Sequence, residues 1–436
     1  MMLRWLFSKT LRDACALRKH VQRLLNAQRD LMTPAAFQIV QGALMELQVA
    51  INERMKKADL RKKMAAMEQV AGKWLRPYPH AGWRENVEVL LVALAVAMGI
   101  RTFFLQPFKI PTGSMQPTLY GVTSTPDFTP IYYQLRQGSL DKSKFEAEMT
   151  EQLNSVKIPN GWQRVEDWIH GISYVHVIAQ NDGELQAVNP PVRFLIFNIK
   201  QTLWIGGVEH TIWFPPDYGE QTLVSRAALF PRSDAFPGRF YHKGDDVVKL
   251  EVRAGDHLFV DRLTYNFRKP TRGEIIVFET AGIPEEMRNQ VNPPIPGDEF
   301  YIKRLVALPG DRVRIGNDRH LIINDLRLDA STPHFENVYG FDPNKPPQES
   351  QFSGHVNGTV AQTYNLYPGI APLFPDEATT FTNAADSYMV MGDNTCNSSD
   401  SRTWGSFRAK SVIGKSFFVY WPITKRFGVG HSITAQ

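Results

Sequence analysis

The stretch that most limits how this chain can fold is Val87 to Leu105, VEVLLVALAVAMGIRTFFL, the only run apolar enough to cross a bilayer. Its uncharged core, Val89 to Ile100, is shorter than the ~20 residues a span needs. The deficit closes if Glu88 and Arg101 sit at the two interfaces, with Arg101 snorkelling and Phe103 and Phe104 joining an aromatic belt. A buried helix of a soluble domain is the competing reading. The charge upstream weighs against it: residues 1 to 84 carry sixteen Lys/Arg and six Asp/Glu, a net of +10, in a chain whose formal charge is only +5. By the positive-inside rule this block lies in the cytoplasm, residues 85–107 form one transmembrane anchor, and the rest lies outside. A basic block can also mark a nucleic-acid binder, but this one ends at Lys73, Arg76 and Arg84, beside the apolar run, so membrane lipid is the expected partner and nucleic acid is not.

The remaining composition is globular, with 436 residues, 43% hydrophobic and 21% charged, enough for two or three domains. Leu3, Leu6, Phe7, Leu11, Ala14, Leu17, Val21 and Leu24 recur at helical spacing among basic residues and predict an amphipathic helix. Charges interrupt it too often for a cleavable signal peptide. Thr33-Pro34 reads as an N-cap with proline at the first helical position, opening a helix with Val40, Leu44, Leu47, Ile51 and Met55 on one face. The two helices can pair as a hairpin, or the first, with Trp5 and Phe7, can lie on the membrane surface. Two cysteines, Cys15 and Cys396, exclude a disulfide framework, and the topology puts them on opposite sides of the membrane.

Residues 122–252 hold β-rich runs such as Val192 to Ile199, turns such as Gly206-Gly207 and four tryptophans, and read as an inserted, mainly β subdomain. From about Arg253 short strands alternate with turn residues: Asp256–Tyr265, Glu274–Thr280, Tyr301–Leu308, Asp311–Leu328 with a hairpin turn over Arg314 to Arg319, Ser387–Met391 and Ser411–Trp421. Such spacing without intervening helices predicts an antiparallel β domain over 253–436, and the Pro- and Gly-rich run 338–386 reads as a second insertion or long loop.

Chemistry is concentrated in three runs. The segment 108–121 contains Ile110-Pro111-Thr112-Gly113-Ser114-Met115, an extended, proline-framed stretch presenting a hydroxyl just after the apolar segment. A serine needs a base, yet none of the eleven histidines has a catalytic context, and neither G-x-S-x-G nor a metal-ligand spacing occurs. No metal or cofactor is therefore expected. The run Tyr301-Ile302-Lys303-Arg304 offers a lysine whose side chain points to the face opposite Ile302 and Arg304. A desolvated lysine becomes a neutral amine and a general base. The third run, Gly392 to Arg402, is dense in small polar residues that build tight loops. Alone, each has a plainer reading as a turn, a solvated strand lysine or a surface loop.

Together with Gly255-Asp256-His257-Leu258-Phe259-Val260-Asp261-Arg262 and Arg272-Gly273-Glu274-Ile275-Ile276-Val277-Phe278, these runs occur in the order found in the bacterial type I signal peptidases, the membrane-bound Ser/Lys proteases, and the chain resembles that family over about 85–121 and 253–425. The resemblance implies Ser114 as nucleophile, Lys303 as general base, Ser398 as the residue orienting the lysine, and the Ser114 N–H with the Thr112 hydroxyl as oxyanion donors. It implies supporting ion pairs Asp393 with Arg304 and Asp400 with Arg402. It also implies shallow pockets lined by Ile110, Pro111, Met115, Leu119, Phe300 and Tyr301, suited to the small residues of an Ala-x-Ala site in a preprotein signal peptide. Two departures stand out: about 130 residues separate the Ser and Gly-Asp runs that many members join closely, and Thr112 stands where many have serine.

A catalytically retired interaction protein on the same scaffold is the alternative, weakened by the joint presence of Ser114, Lys303 and Ser398. A soluble self-cleaving Ser/Lys repressor fails on the apolar anchor and on the lack of a helix-turn-helix. Nothing in the residues assigns an oligomeric state, or a role to the insertion, the N-terminal helices or Cys396.

Overall fold

The computed structural model describes residues 8–53, 55–75, 81–136, 142–195, 197–233, 237–367 and 369–429. It divides into two compact units, Met1–Val96 and Ala97–Gln436. In the first, helix α1 (Lys9–Gln28) is capped by Ser8, whose hydroxyl accepts from the Leu11 N–H, and α2 (Pro34–Asn52) by Thr33, as its sequence predicts. A third helix, α3 (Lys57–Trp74), joins them, so the hairpin is a three-helix cluster in which Val21 and Leu25, Val40, Leu44 and Leu47, and Leu60 and Met67 share one core. Sequence reading passed over α3 because its apolar positions Leu60, Met64, Met67 and Ala71 sit in a run dominated by charged and small residues. The apolar side of α1 is taken up by this packing, which argues against its lying on a membrane. Leu3, Trp5, Leu6 and Phe7 fall outside the described residues. Met55 lies beyond the end of α2 and is exposed, because the apolar face stops with the helix at Asn52.

Helix α4 (Ala81–Phe103) contains the apolar run. Its 21-residue stretch Trp83–Phe103 contains an 18-residue window of mean hydropathy 1.7, none of it buried by protein. At ~1.5 Å per residue it reaches about 30 Å, the thickness of a bilayer's hydrocarbon core. The helix starts earlier than the apolar run suggests and stops at Phe103. Leu105 to Pro107, assigned to the anchor by sequence, belong instead to a strand paired with Asp261 to Phe259.

That strand, β1 (Leu105–Lys109), edges an eight-stranded antiparallel sheet built with β2 (His257–Asp261), β3 (Ile275–Glu279), β4 (Phe300–Ala307), β5 (Ser387–Met391), β6 (Phe407–Arg408), β7 (Val412–Trp421) and β8 (Gly428–Val429). The order is β1-β2-β7-β3-β4-β5-β6, with β8 beside β7. Strands β3 and β5 read as unbroken apolar runs because both sheet faces are covered. Phe278, Leu305, Tyr388 and Val390 pack with Trp404 and Phe407 on one side, while Val306, Met389 and Met391 pack into a second core on the other. The sheet is the antiparallel β domain predicted from strand spacing.

Between β1 and β2, Thr123–Thr125 and Ile172–Ile178 flank Asp246–Arg253 in a three-stranded sheet, with Thr123 opposite Arg253. A five-stranded sheet and the helices Thr129–Arg136, Lys142–Ser155, Trp162–Ile169 and Leu223–Arg226 complete this insertion around its own core of Val175, Leu185, Leu203, Leu229 and Val248. The run 338–386 is no loose loop. Val338, Tyr339, Val356 and Phe374 close over a small sheet formed by Arg312–Ile315, Leu321–Ile323, Leu326–Arg327 and Phe381–Thr382. The hairpin turn falls between Ile315 and Leu321, where Arg314 to Arg319 predicted it.

Candidate active site

After Lys109 the chain leaves the sheet and turns back, and three apolar side chains fix that turn. Ile110, Met115 and Leu119 are buried with Leu258, Val260, Val277 and Val419. Their predicted role as pocket lining is corrected here: Met115 and Leu119 are 0% exposed, so they anchor the turn from beneath. Phe300, 46% exposed, and the half-buried Pro111 and Tyr301 stay at the surface. The turn closes through the Gln116 N–H donating to the Gly113 carbonyl (3.0 Å) and the Leu119 N–H to Met115 (3.0 Å).

At its apex, Ser114 Oγ accepts a hydrogen bond from Lys303 Nζ at 2.7 Å. Both residues are buried. Lys303 lies on β4 opposite Ile276, and alternation along the strand sends its side chain to the face opposite that of Arg304. Its ammonium also donates to the Ile302 carbonyl (3.1 Å) and stands 5.2 Å from the Tyr301 ring centre. Burial pushes the amine down to about 8, although the carboxylates of Asp400, Glu220 and Asp393 pull it upward. Thr112 Oγ1 lies 3.4 Å from Ser114 Oγ. Among the described residues, the Ser114 N–H finds no hydrogen-bond acceptor.

The surrounding frame is ionic. Arg304 makes a two-pronged pair with Asp393 (2.7 and 2.6 Å) and donates to the carbonyls of Gly273 and His334, both at 2.8 Å. Arg402 pairs with Asp400 (2.9 and 2.8 Å) and donates to Thr395. Burial alone would raise the Asp400 carboxyl, but Arg402 and the Gly392 N–H, which donates to it at 3.0 Å, hold it below the usual range. Ser398 is buried beside Gly392; among the described residues its hydroxyl makes no hydrogen bond of ordinary geometry to Lys303, and it instead helps to hold the Asp400 carboxyl down.

Three contributors escaped the sequence reading. The Asn394 N–H donates to the Ser114 carbonyl (3.1 Å) and its side-chain amide to the Gly113 carbonyl (3.0 Å). Thr118 donates to Asp393. Asp256 receives the Tyr120 N–H (2.8 Å) and the Arg426 guanidinium (2.8 and 2.9 Å). All three lie within motif runs already singled out, so the signal was their position, while their partners are distant in sequence. Among the described residues, no group of three or more His, Cys, Asp or Glu is placed to hold a metal ion.

A buried hydroxyl in contact with a lysine whose amine is partly neutral near pH 8, beside an open backbone N–H, can attack a carbonyl and hold the resulting oxyanion. The same residues fall inside the part of the chain that known proteins share. The family model "Signal peptidase, peptidase S26" matches residues 83–125 and 241–421, just over half of the chain, and leaves residues 126–240, most of the insertion, unmatched. Signal peptidase I of Leptolyngbya laminosa is 28% identical over 207 residues, covering 48% of this chain and 74% of that protein. The probable signal peptidase I-2 of Synechocystis is 25% identical, covering 48% of this chain and 68% of its own. Signal peptidase I of Streptococcus pneumoniae strain R6 is 32% identical over 136 residues, covering 30% and 64%. With both matched segments converging on one sheet and on the Ser114 turn, the chain belongs to the signal peptidase family, peptidase S26.

Proposed function

We propose that this peptidase removes signal peptides from preproteins with Ser114 as nucleophile and Lys303 as general base. The observation carrying this reading is the 2.7 Å contact between Lys303 Nζ and Ser114 Oγ in a buried setting. Ser114 Oγ attacks the scissile carbonyl carbon as its proton passes to Lys303. The oxyanion is received by the Ser114 N–H and the Thr112 hydroxyl. Collapse breaks the peptide bond, and Lys303 gives its proton to the departing amine, the new N-terminus of the mature chain. Lys303 then takes a proton from water, which hydrolyses the acyl ester and restores Ser114. The Arg304–Asp393 and Arg402–Asp400 pairs hold β4 and the 392–402 loop in register.

Helix α4, the one candidate span among the described residues, is the anchor, with the basic N-terminal helices in the cytoplasm and residues beyond about 105 on the outer face of the membrane. Pro111, Phe300 and Tyr301 line a shallow site for the small side chains of an Ala-x-Ala sequence. The retired-scaffold alternative is disfavoured by the intact Ser–Lys contact. Cleavage of a preprotein by the wild type, Ser114→Ala and Lys303→Ala tests the mechanism: both variants should be inactive, and full activity in either sinks it. An acylating serine probe should label the wild type and spare Ser114→Ala.

A further inference from the structure

The insertion between β1 and β2 does not stand clear of the catalytic turn. Its segment 217–220 runs along the residues that lead into Ser114. Lys109, the last residue of β1, is ion-paired with Asp217. Gly219, at φ +73°, packs so closely that a Cβ there would lie 2.8 Å from the Pro111 carbonyl oxygen and 3.1 Å from Val122 Cβ. From behind, the buried Arg226 donates to the carbonyls of Tyr218 (2.9 Å) and Val122 (3.0 Å) and to Ser124 Oγ (3.2 Å). The segment is thus fastened to the chain on both sides of the nucleophile turn.

This fastening positions the next side chain, Glu220. It is solvent-exposed, yet Lys303 and Glu299 both act on its charge, and protein crowding followed by Glu299 pushes its carboxyl upward. Glu299 is also exposed and directly precedes β4, the strand of Lys303; Tyr301 senses both carboxylates. One acid from the insertion and one directly before β4 therefore lie near enough to Lys303 and Tyr301 for their charges to be felt there.

We propose that segment 217–220 is the insertion's contribution to the substrate cleft, and that Glu220 reads charge beside the scissile bond, favouring Lys or Arg there and rejecting Asp or Glu. This rests on the Ser114–Lys303 reading above. An extended substrate reaching Ser114 passes Pro111, Tyr301 and the 217–220 segment, so its flanking side chains meet these carboxylates. Like charges beside them are penalised and opposite ones rewarded, which gives discrimination without altering the dyad.

The experiment uses the full chain in detergent micelles and peptides identical except for Lys, Gln or Glu at the residue two before and the residue after the cleaved bond. For the wild type, kcat/KM for the Lys peptides should exceed that for the Glu peptides about tenfold, the scale of one charge contact at a partly solvated site. Glu220→Gln should bring this ratio to within about threefold of unity, and Glu220→Lys should invert it. Equal ratios in all three proteins, or a wild-type ratio near one, overturn the assignment, as does loss of all cleavage in both variants, which would mark Glu220 as structural. Failure of the underlying reading looks different: the wild type would not cut the Gln peptide, or Ser114→Ala would cut it equally well.

Discussion

Asn394 holds Ser114 from behind, its N–H donating to the Ser114 carbonyl at 3.1 Å and its side-chain amide donating to the adjacent Gly113 carbonyl at 3.0 Å. The loop after β5 is thereby tied to the Ser114 turn by main chain and side chain together. Asn394→Ala removes only the second tie. We expect a loss of about 1 kcal/mol in stability. The loosened geometry should lower kcat roughly tenfold, with KM little changed. Unfolding by urea and steady-state kinetics measure the two effects. A variant with full kcat would show that Gly113 needs no restraint from this side.

The lysine base sets a pH dependence. In the proposed mechanism Lys303 acts only as the neutral amine, and burial brings its folded value down to about 8, below the ordinary 10.5. Activity should therefore rise with pH through about 8 and fall as pH drops below it, close to tenfold per unit well below that point. Lys303→Arg, whose guanidinium stays charged throughout, should be inactive across the range. A flat kcat/KM profile from pH 6 to 9 argues against lysine as the base.

Arg304 and Asp393 are both buried, so removing one leaves the other as an unpaired charge in the interior. Asp393→Ala should cost about 3–5 kcal/mol, read as a fall in the denaturation midpoint. The double variant Arg304→Met/Asp393→Leu should lose less than Asp393→Ala alone, because no charge is stranded.

Gly219 and Gly207 separate backbone strain from crowding. Both have positive φ, +73° and +80°, but a Cβ at 207 meets nothing within 4 Å whereas one at 219 meets the Pro111 carbonyl at 2.8 Å. Gly207→Ala should cost only the strain, about 1 kcal/mol. Gly219→Ala should cost more, and should also depress kcat/KM by displacing Pro111. Similar activity in both variants would show that the 217–220 segment does not constrain the catalytic turn.

Much of the site was legible because motif order survives the insertions: Ser114, Lys303, Asp393 and Asp400 could be picked from short runs whose residue types fit one chemistry. Alternation along a strand correctly separated Lys303 from Arg304. What the structure does not place at the surface is the pocket lining that the resemblance implied for Met115 and Leu119. Met115 and Leu119 are as apolar as a pocket residue would be, but a turn held against a sheet needs anchors beneath it, and burial depth is not encoded in residue type. Asn394 and Asp256 were missed for the converse reason, since a polar residue in a loop reveals neither its distant partner nor whether it has one. Helix α3 was missed although Leu60, Met64, Met67 and Ala71 recur at helical spacing, because they sit in a run dominated by charged and small residues.

The pairing of Thr123 with Arg253 has a consequence for how such a chain can change length. Because the two ends of roughly 130 residues meet on adjacent strands, the catalytic sheet experiences that whole segment as a tight bend. Material can be added or trimmed beyond this stem with little effect on the distance between β1 and β2, since the entropy of closing a longer loop grows only with the logarithm of its length. The stem is thus a graft point: the inserted segment can change while the Ser114–Lys303 contact stays in place.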